Sequence, residues 1–239
     1  MSLRRLYHEQ PSSFGFTDEN KSLVQKEIQK YPPGRQASAV IALLWRGQEQ
    51  EGWVSKPMIE QVAQVLEMPY IRVLEVATFY TMFNLEPVGK YHVQVCTTTP
   101  CWLAGSDDVV AVCKKQISPQ PDTISEDGLF SWTEVECLGA CVNAPMLQIG
   151  KDFYEDLDGP KTESLFAALR RNENPPAGSQ SGRHSSEPLG GPLTLTEASI
   201  YQATSKHGGP AIAEQETKRP GAGATAREAS AQKPPGTAT

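Results

Sequence analysis

Four of the five cysteines stand in two close pairs, Cys96 and Cys101 in VCTTTPCWLAG and Cys137 and Cys141 in ECLGAC, with 35 residues between the pairs. Thiols at such spacings serve as a disulfide, a redox couple, a zinc site or an iron–sulfur site. Each pair follows a run that alternates like a strand, YHVQV (91–95) and FSWTEVE (130–136). If both runs belong to one sheet, the pairs sit in loops at one sheet edge. Four converging thiolates then describe an all-cysteine zinc site or a [2Fe–2S] cluster.

Several features separate these. Structural zinc most often uses C-x2-C knuckles, whereas the pairs here are C-x4-C and C-x3-C. A two-iron centre needs each pair to chelate one iron and wider loops to turn backbone N–H groups toward sulfide. CTTTPC and CLGAC have small residues for that approach, and in them only Pro100 lacks an N–H. With four thiolates the core carries about −2 oxidised and −3 reduced, an anion favoured by loop amides and by the start of a helix after Cys101. The spacing is not that of a plant-type ferredoxin, and no cysteine is followed by histidine as in a Rieske site. A thioredoxin-type disulfide exchanger would use C-x-x-C. Spacing thus favours the binuclear cluster, while zinc and unrelated thiols stay open. Cys113 falls on the apolar face of a helix and reads as a small buried hydrophobe.

The elements that must position these thiols follow from periodicity and caps. Thr17 starts a helix that runs through Lys30 and stops at Pro32-Pro33. A second fits Gln36 to Gln50, with Val40, Leu43 and Leu44 as its stripe and Gly52 at its end. Ser55 with Pro57 opens a third, and Pro69 a fourth through Phe79. From Lys90 the pattern becomes strand, helix over Ala104 to Gln116, strands at 130–136 and 146–149, a return across Gly150-Lys151, and a helix from Thr162 to Arg171. That order predicts an α/β sandwich of thioredoxin size. The 67 residues after Asn172 hold 8 Pro, 9 Gly and 11 Ala with one aromatic, Tyr201, so they cannot bury enough apolar surface to offset ordering. Within them PLTLTEASIYQAT (192–204) is the stretch apolar enough to dock on a partner. The expected organisation is an arm over 1–16, a helical bundle over 17–86, an α/β domain over 87–172 and a low-complexity, largely disordered tail over 173–239.

Bulk composition excludes several classes. A net charge of −6 argues against nucleic-acid binding, and no apolar run reaches membrane-spanning length. MSLRRLYHEQPSSFGFTDEN lacks the apolar core of a secretory signal, and His8, Glu9 and Asp18 make it a poor transit peptide. The thiols are therefore expected in a reducing compartment, where stable disulfides are unusual. No G-x-G-x-x-G follows a strand, and there is no P-loop, H-E-x-x-H or Ser–His–Asp set, so no catalytic residue is assigned.

The segments YPPGRQASAVIALLW, VATFYTMFNLEPVGKYHVQVCTTTPCWLAG and ECLGACVNAPMLQI together resemble the thioredoxin-like [2Fe–2S] ferredoxin subunits of respiratory NADH:quinone oxidoreductase, complex I (the E subunit in bacteria). The resemblance covers residues 14 to about 172. It implies an α+β protein, an N-terminal helical bundle followed by a thioredoxin-like domain, in which Cys96, Cys101, Cys137 and Cys141 ligate one [2Fe–2S] cluster. It further implies single-electron exchange with the FMN of a neighbouring NADH-oxidising subunit, in a peripheral arm at the cytoplasmic or matrix face of the membrane. NAD-linked hydrogenases and formate dehydrogenases share the module, which leaves the parent complex open. The aromatic-rich bundle is the expected docking surface for the flavin subunit. Asp107, Asp108, Glu134 and Glu136 flank the cysteine loops and predict a low reduction potential.

Overall fold

Helix starts and stops follow capping chemistry. In the computed structural model of the protein, which describes residues 4–188 with Thr194 and Thr196, Thr17 Oγ1 accepts the Asn20 N–H at 3.3 Å and opens α1 (Asp18–Ile28). A 3-10 turn (Gln36–Ala39) leads into α2 (Val40–Glu51), which ends where Gly52 takes a left-handed φ of 85°. Ser55 accepts the Met58 N–H at the start of α3 (Lys56–Val65), and Pro69 precedes α4 (Tyr70–Phe79). Leu43, Leu44, Met58, Ile59, Val62, Val73 and Phe83 fill the core these helices share. α2 packs on the other three. Its approach to α3 is close at Gly47, where an added Cβ would lie 2.5 Å from Met58 Sδ. The residues before α1 belong to this body, since Phe16 is buried in its core and Leu6 and Phe14 pack on it. Arg4 donates to the carbonyls of Thr78, Tyr80 and Phe83, tying the arm to the end of α4.

The second core is built on a sheet of order β2-β1-β3-β4-β5. β1 (Tyr91–Cys96) runs parallel to β2 (Phe130–Val135), and the crossover between them carries α5 (Thr99–Leu103) and α6 (Ser106–Gln116). β3 (Leu147–Ile149) returns antiparallel to β1 and forms a hairpin with β4 (Asp152–Glu155) across Gly150, whose φ is 61°. α7 (Gly159–Arg170) starts where the Asp158 side chain accepts the Lys161 N–H at 2.8 Å. Val93, Val95, Phe130, Trp132, Leu147 and Ile149 from the sheet pack with Val109, Val112 and Cys113 of α6 and Leu165, Phe166 and Leu169 of α7. Alternation along β1 and β2 explains the sheet's share of this core.

Two expectations change here. The helix expected over Ala104 to Gln116 is present as α6, starting two residues later after Gly105 at φ 99°, and a short helix not expected from the sequence, α5, precedes it on the Cys101 loop. The segment after Asn172 does not leave the fold at once: β5 (Gly178–Ser179) pairs in parallel with β4, and the Gln180 N–H donates to the Glu155 carbonyl at 2.8 Å. This stretch attaches through backbone and polar groups, which apolar composition does not register. The rest of the expected tail, including 192–204 apart from Thr194 and Thr196, lies outside the described residues. The chain divides into units Met1–Ser186 and Glu187–Thr239, and both cores lie in the first. Among the described residues no helix is long and apolar enough to cross a membrane.

Candidate metal centre

Parallel pairing of β1 with β2 brings the two cysteine loops to one end of the sheet. Cys96, the last residue of β1, is level with Val135, two residues before Cys137. Cys101 follows on α5, and Cys141 opens a 3-10 turn, Cys141–Asn143. Cys96 and Cys101 are buried with Met146, and Leu138 and Ala140 from the other loop pack against them. Cys137 and Cys141 face outward, with their sulfurs 3.5 Å apart. All five cysteines are free thiols. Among the described residues, no three His, Cys, Asp or Glu side chains gather round one point as a single ion would require. The thiols gather as two pairs.

The loops turn N–H groups onto the sulfurs. The Gly139 N–H donates to Cys137 Sγ at 3.4 Å. Burial pushes the Cys96 thiol up, but the Thr98 hydroxyl at 3.3 Å and the N–H groups of Leu138 and Thr98 outweigh it and hold the thiol below its usual value. Cys101 is pushed up to about 12, first by burial and then by its bond to Cys96. Cys141 is raised by its bond to Cys137, and the Cys96 charge reaches it as well. Cys101 and Cys141 are thus each raised in part by the neighbouring thiol of the same pair, an effect that bound cationic iron would offset.

The donor set fits the implied group. Four sulfurs in two close pairs, an N–H donor within the second loop and a buried apolar floor would suit an anionic binuclear cluster. Cys113 stands apart, fully buried in the second core with its thiol pushed up to about 12 by burial, and it serves packing. Asp107 and Asp108 occupy the exposed first turn of α6, and Glu134 and Glu136 are exposed on and beside β2. Sequence reasoning passed over Asn143, two residues after Cys141. It is 2% exposed and donates through Nδ2 to Glu155 Oε2 at 2.5 Å. Nothing in its local pattern marks it, because its partner lies on β4.

A parallel-paired sheet with a helical crossover, carrying two thiol pairs at one end and following a helical bundle in the chain, defines a thioredoxin-like ferredoxin. The chain belongs to the thioredoxin-like [2Fe–2S] ferredoxin family, whose profile matches residues 24–170, and the family implies an iron–sulfur cluster. An NADH-quinone oxidoreductase E subunit of Rhizobium meliloti (strain 1021), the first of that name there, is 53% identical over 201 residues, 82% of this chain and 73% of that one. The corresponding E subunit of Rickettsia bellii (strain RML369-C) is 53% identical over 162 residues, 67% of this chain and 97% of its own. A solved chain of an NAD+-reducing [NiFe]-hydrogenase in the air-oxidized state matches at a TM-score of 0.48 and 19% identity, over 56% of this chain and 23% of that one, a likeness too distant to bear on function.

Proposed function

We propose that the chain is the electron-transferring E subunit of an NADH:quinone oxidoreductase, and that Cys96, Cys101, Cys137 and Cys141 hold its [2Fe–2S] cluster. The observation that carries this reading is the meeting of two thiol pairs at one sheet end, where Leu138 and Ala140 of the second loop pack against the buried Cys96 and Cys101 of the first. The names of relatives at 53% identity support this parent complex over a hydrogenase. When bound, such a cluster takes up and returns one electron at a time.

The chain's own groups do the rest. Cys96 and Cys101 form the buried pair and Cys137 with Cys141 the exposed one, so solvent or a partner meets the second pair first. The loop amides stabilise anionic sulfur without adding a mobile charge. Trp102, Leu103 and Val142, each close to a cysteine in sequence, expose apolar side chains beside the site. Such a rim suits a covering neighbour, which in this reading is the FMN- and NADH-binding subunit of the same peripheral arm. The test is an absorption spectrum and metal analysis of anaerobically purified protein. Two irons and two sulfides per chain with a red-brown spectrum are expected; a colourless protein with one zinc, or a metal-free disulfide reductase, overturns the assignment.

A further inference from the structure

Residues 178–186 lie beyond the matched family segment, yet they grip the loop that carries Cys141. Arg183 and Asp156 form an ion pair with side chains only 12% and 11% exposed, and Arg183 Nε donates to Asp156 Oδ2 at 2.9 Å. The Ser179 and Ser181 hydroxyls donate to the same carboxylate oxygen at 2.5 and 3.1 Å. From this anchor two contacts run to the cysteine turn. Arg183 Nη2 donates to the Val142 carbonyl at 3.3 Å, and Asn143 Nδ2 donates to the Ser185 carbonyl at 2.8 Å. The turn is held from its other side by the Asp156 N–H, which donates to the Asn143 carbonyl at 2.8 Å. Val142 and Asn143 follow Cys141 directly, so their backbone sets where its sulfur sits.

We infer that the segment 178–186 is a strap that positions Cys141, with Arg183 as its positioning residue, through simultaneous contact with Asp156 and the Val142 carbonyl. The inference rests on the reading of Cys141 as a cluster ligand. Its physical ground is that Cys137 and Cys141 are themselves exposed, with only Leu138 and Ala140 between them packed inward, so polar contacts to the turn after Cys141 carry much of its geometry. Groups that orient a ligand without touching the metal change its affinity by about 10–100-fold when removed. A guanidinium can serve two acceptors at once, whereas an ammonium on a flexible stem holds a carboxylate without fixing the second.

The experiment uses the full-length chain with Arg183→Ala, Arg183→Lys and, as a control, Glu173→Ala, which removes an exposed ion pair with Arg171 that makes no contact with the turn. Readouts are iron content, the electron paramagnetic resonance spectrum of the dithionite-reduced protein, and the rate at which a chelator strips iron. Arg183→Ala is expected to keep two irons when freshly prepared, to show shifted or broadened resonances, and to lose iron roughly tenfold faster. Arg183→Lys should restore thermal stability more than it restores the spectrum, and Glu173→Ala should match the parent. Should Arg183→Ala fail to fold, Arg183→Lys alone decides, because a parental spectrum and stripping rate in that variant overturn the strap. An unchanged spectrum and rate in folded Arg183→Ala also overturn it, with the cluster reading intact. A parent chain without two irons overturns the cluster reading itself.

Discussion

The buried and exposed thiols differ in what they contribute to the fold. Cys137 is exposed, so Cys137→Ala should leave thermal unfolding of the metal-free protein within about 0.5 kcal/mol of the parent while the purified protein loses its iron and colour. Cys113→Ala should do the reverse. It leaves a void in the second core and costs about 1–2 kcal/mol, while iron stays at two per chain. Chemical denaturation with iron analysis separates the two, and equal iron loss in both variants would contradict this division between ligand and packing thiols. His92 is a third case. Its ring bonds Ser131 Oγ at 2.9 Å, and burial holds its pKa below the usual value against the pull of Asp122. The unfolded chain takes up this proton near pH 6.5, whereas the native chain resists until lower pH. Stability is therefore complete above about pH 6.5 and falls as pH drops below it. His92→Gln should flatten the fall in melting temperature between about pH 7.5 and 5.5, and parallel curves for variant and parent would refute this. The acidic flank carries less weight than its sequence position implies. Asp107, Asp108, Glu134 and Glu136 are all exposed, where solvent screens them, and the loop N–H groups act in the opposite sense by favouring added negative charge.

Elements were legible where a local rule fixed them. Thr17, Ser55, Pro69 and Gly52 mark real helix ends because a cap acts within a few residues. Both strands preceding the cysteines were visible because alternation is also local, and their shared sheet edge follows from parallel pairing. α5, β5 and the setting of Asn143 were not visible. α5 is five residues long, too short for a periodic pattern, while β5 and Asn143 depend on partners distant in the chain and β5 has no side-chain pattern over its two residues. The same limit hid Gly89 in the connection between the cores. A Cβ there would lie 2.4 Å from the Phe130 carbonyl carbon and 2.7 Å from its oxygen, and the Gly89 N–H donates to Ser131 Oγ at 3.0 Å. Backbone cannot turn aside as a side chain tip can. Gly89→Ala should therefore cost about 3 kcal/mol, or roughly 10 °C of melting temperature in a chain of this size. Gly47→Ala meets only the flexible Met58 side chain and should cost less. A calorimetric ranking with Gly47→Ala the more damaging would show that β2 yields more readily than the α2–α3 contact.

At the scale of the whole molecule, two cores with separate residue sets divide the labour. The sheet domain carries the thiols, and the bundle leaves Ile71, Phe79, Tyr80 and Met82 exposed on and just beyond α4, Phe79 at 76%. Phe83, four residues on from Phe79, is fully buried and fixes the loop that presents this patch. Exposed aromatic and long apolar side chains gathered on one element mark a binding face more readily than a solvated one. In the proposed assembly this face meets the flavin-bearing subunit, while the rim of Trp102, Leu103 and Val142 lies beside the cluster. The two surfaces predict separable defects. Ile71→Ser with Phe79→Ser removes no core contact, so the isolated chain should melt within about 1 kcal/mol of the parent and keep its cluster spectrum. Its affinity for the partner should fall at least tenfold, which corresponds to about 1.4 kcal/mol and is modest for a central aromatic anchor. Trp102→Ser should disturb the cluster spectrum or the electron-transfer rate more than it disturbs assembly. Co-purification of the partner with each variant, followed by NADH-driven reduction of the cluster, reads both effects. If the Ile71/Phe79 variant assembles normally and the Trp102 variant does not, docking belongs to the cysteine rim and the bundle patch has another role.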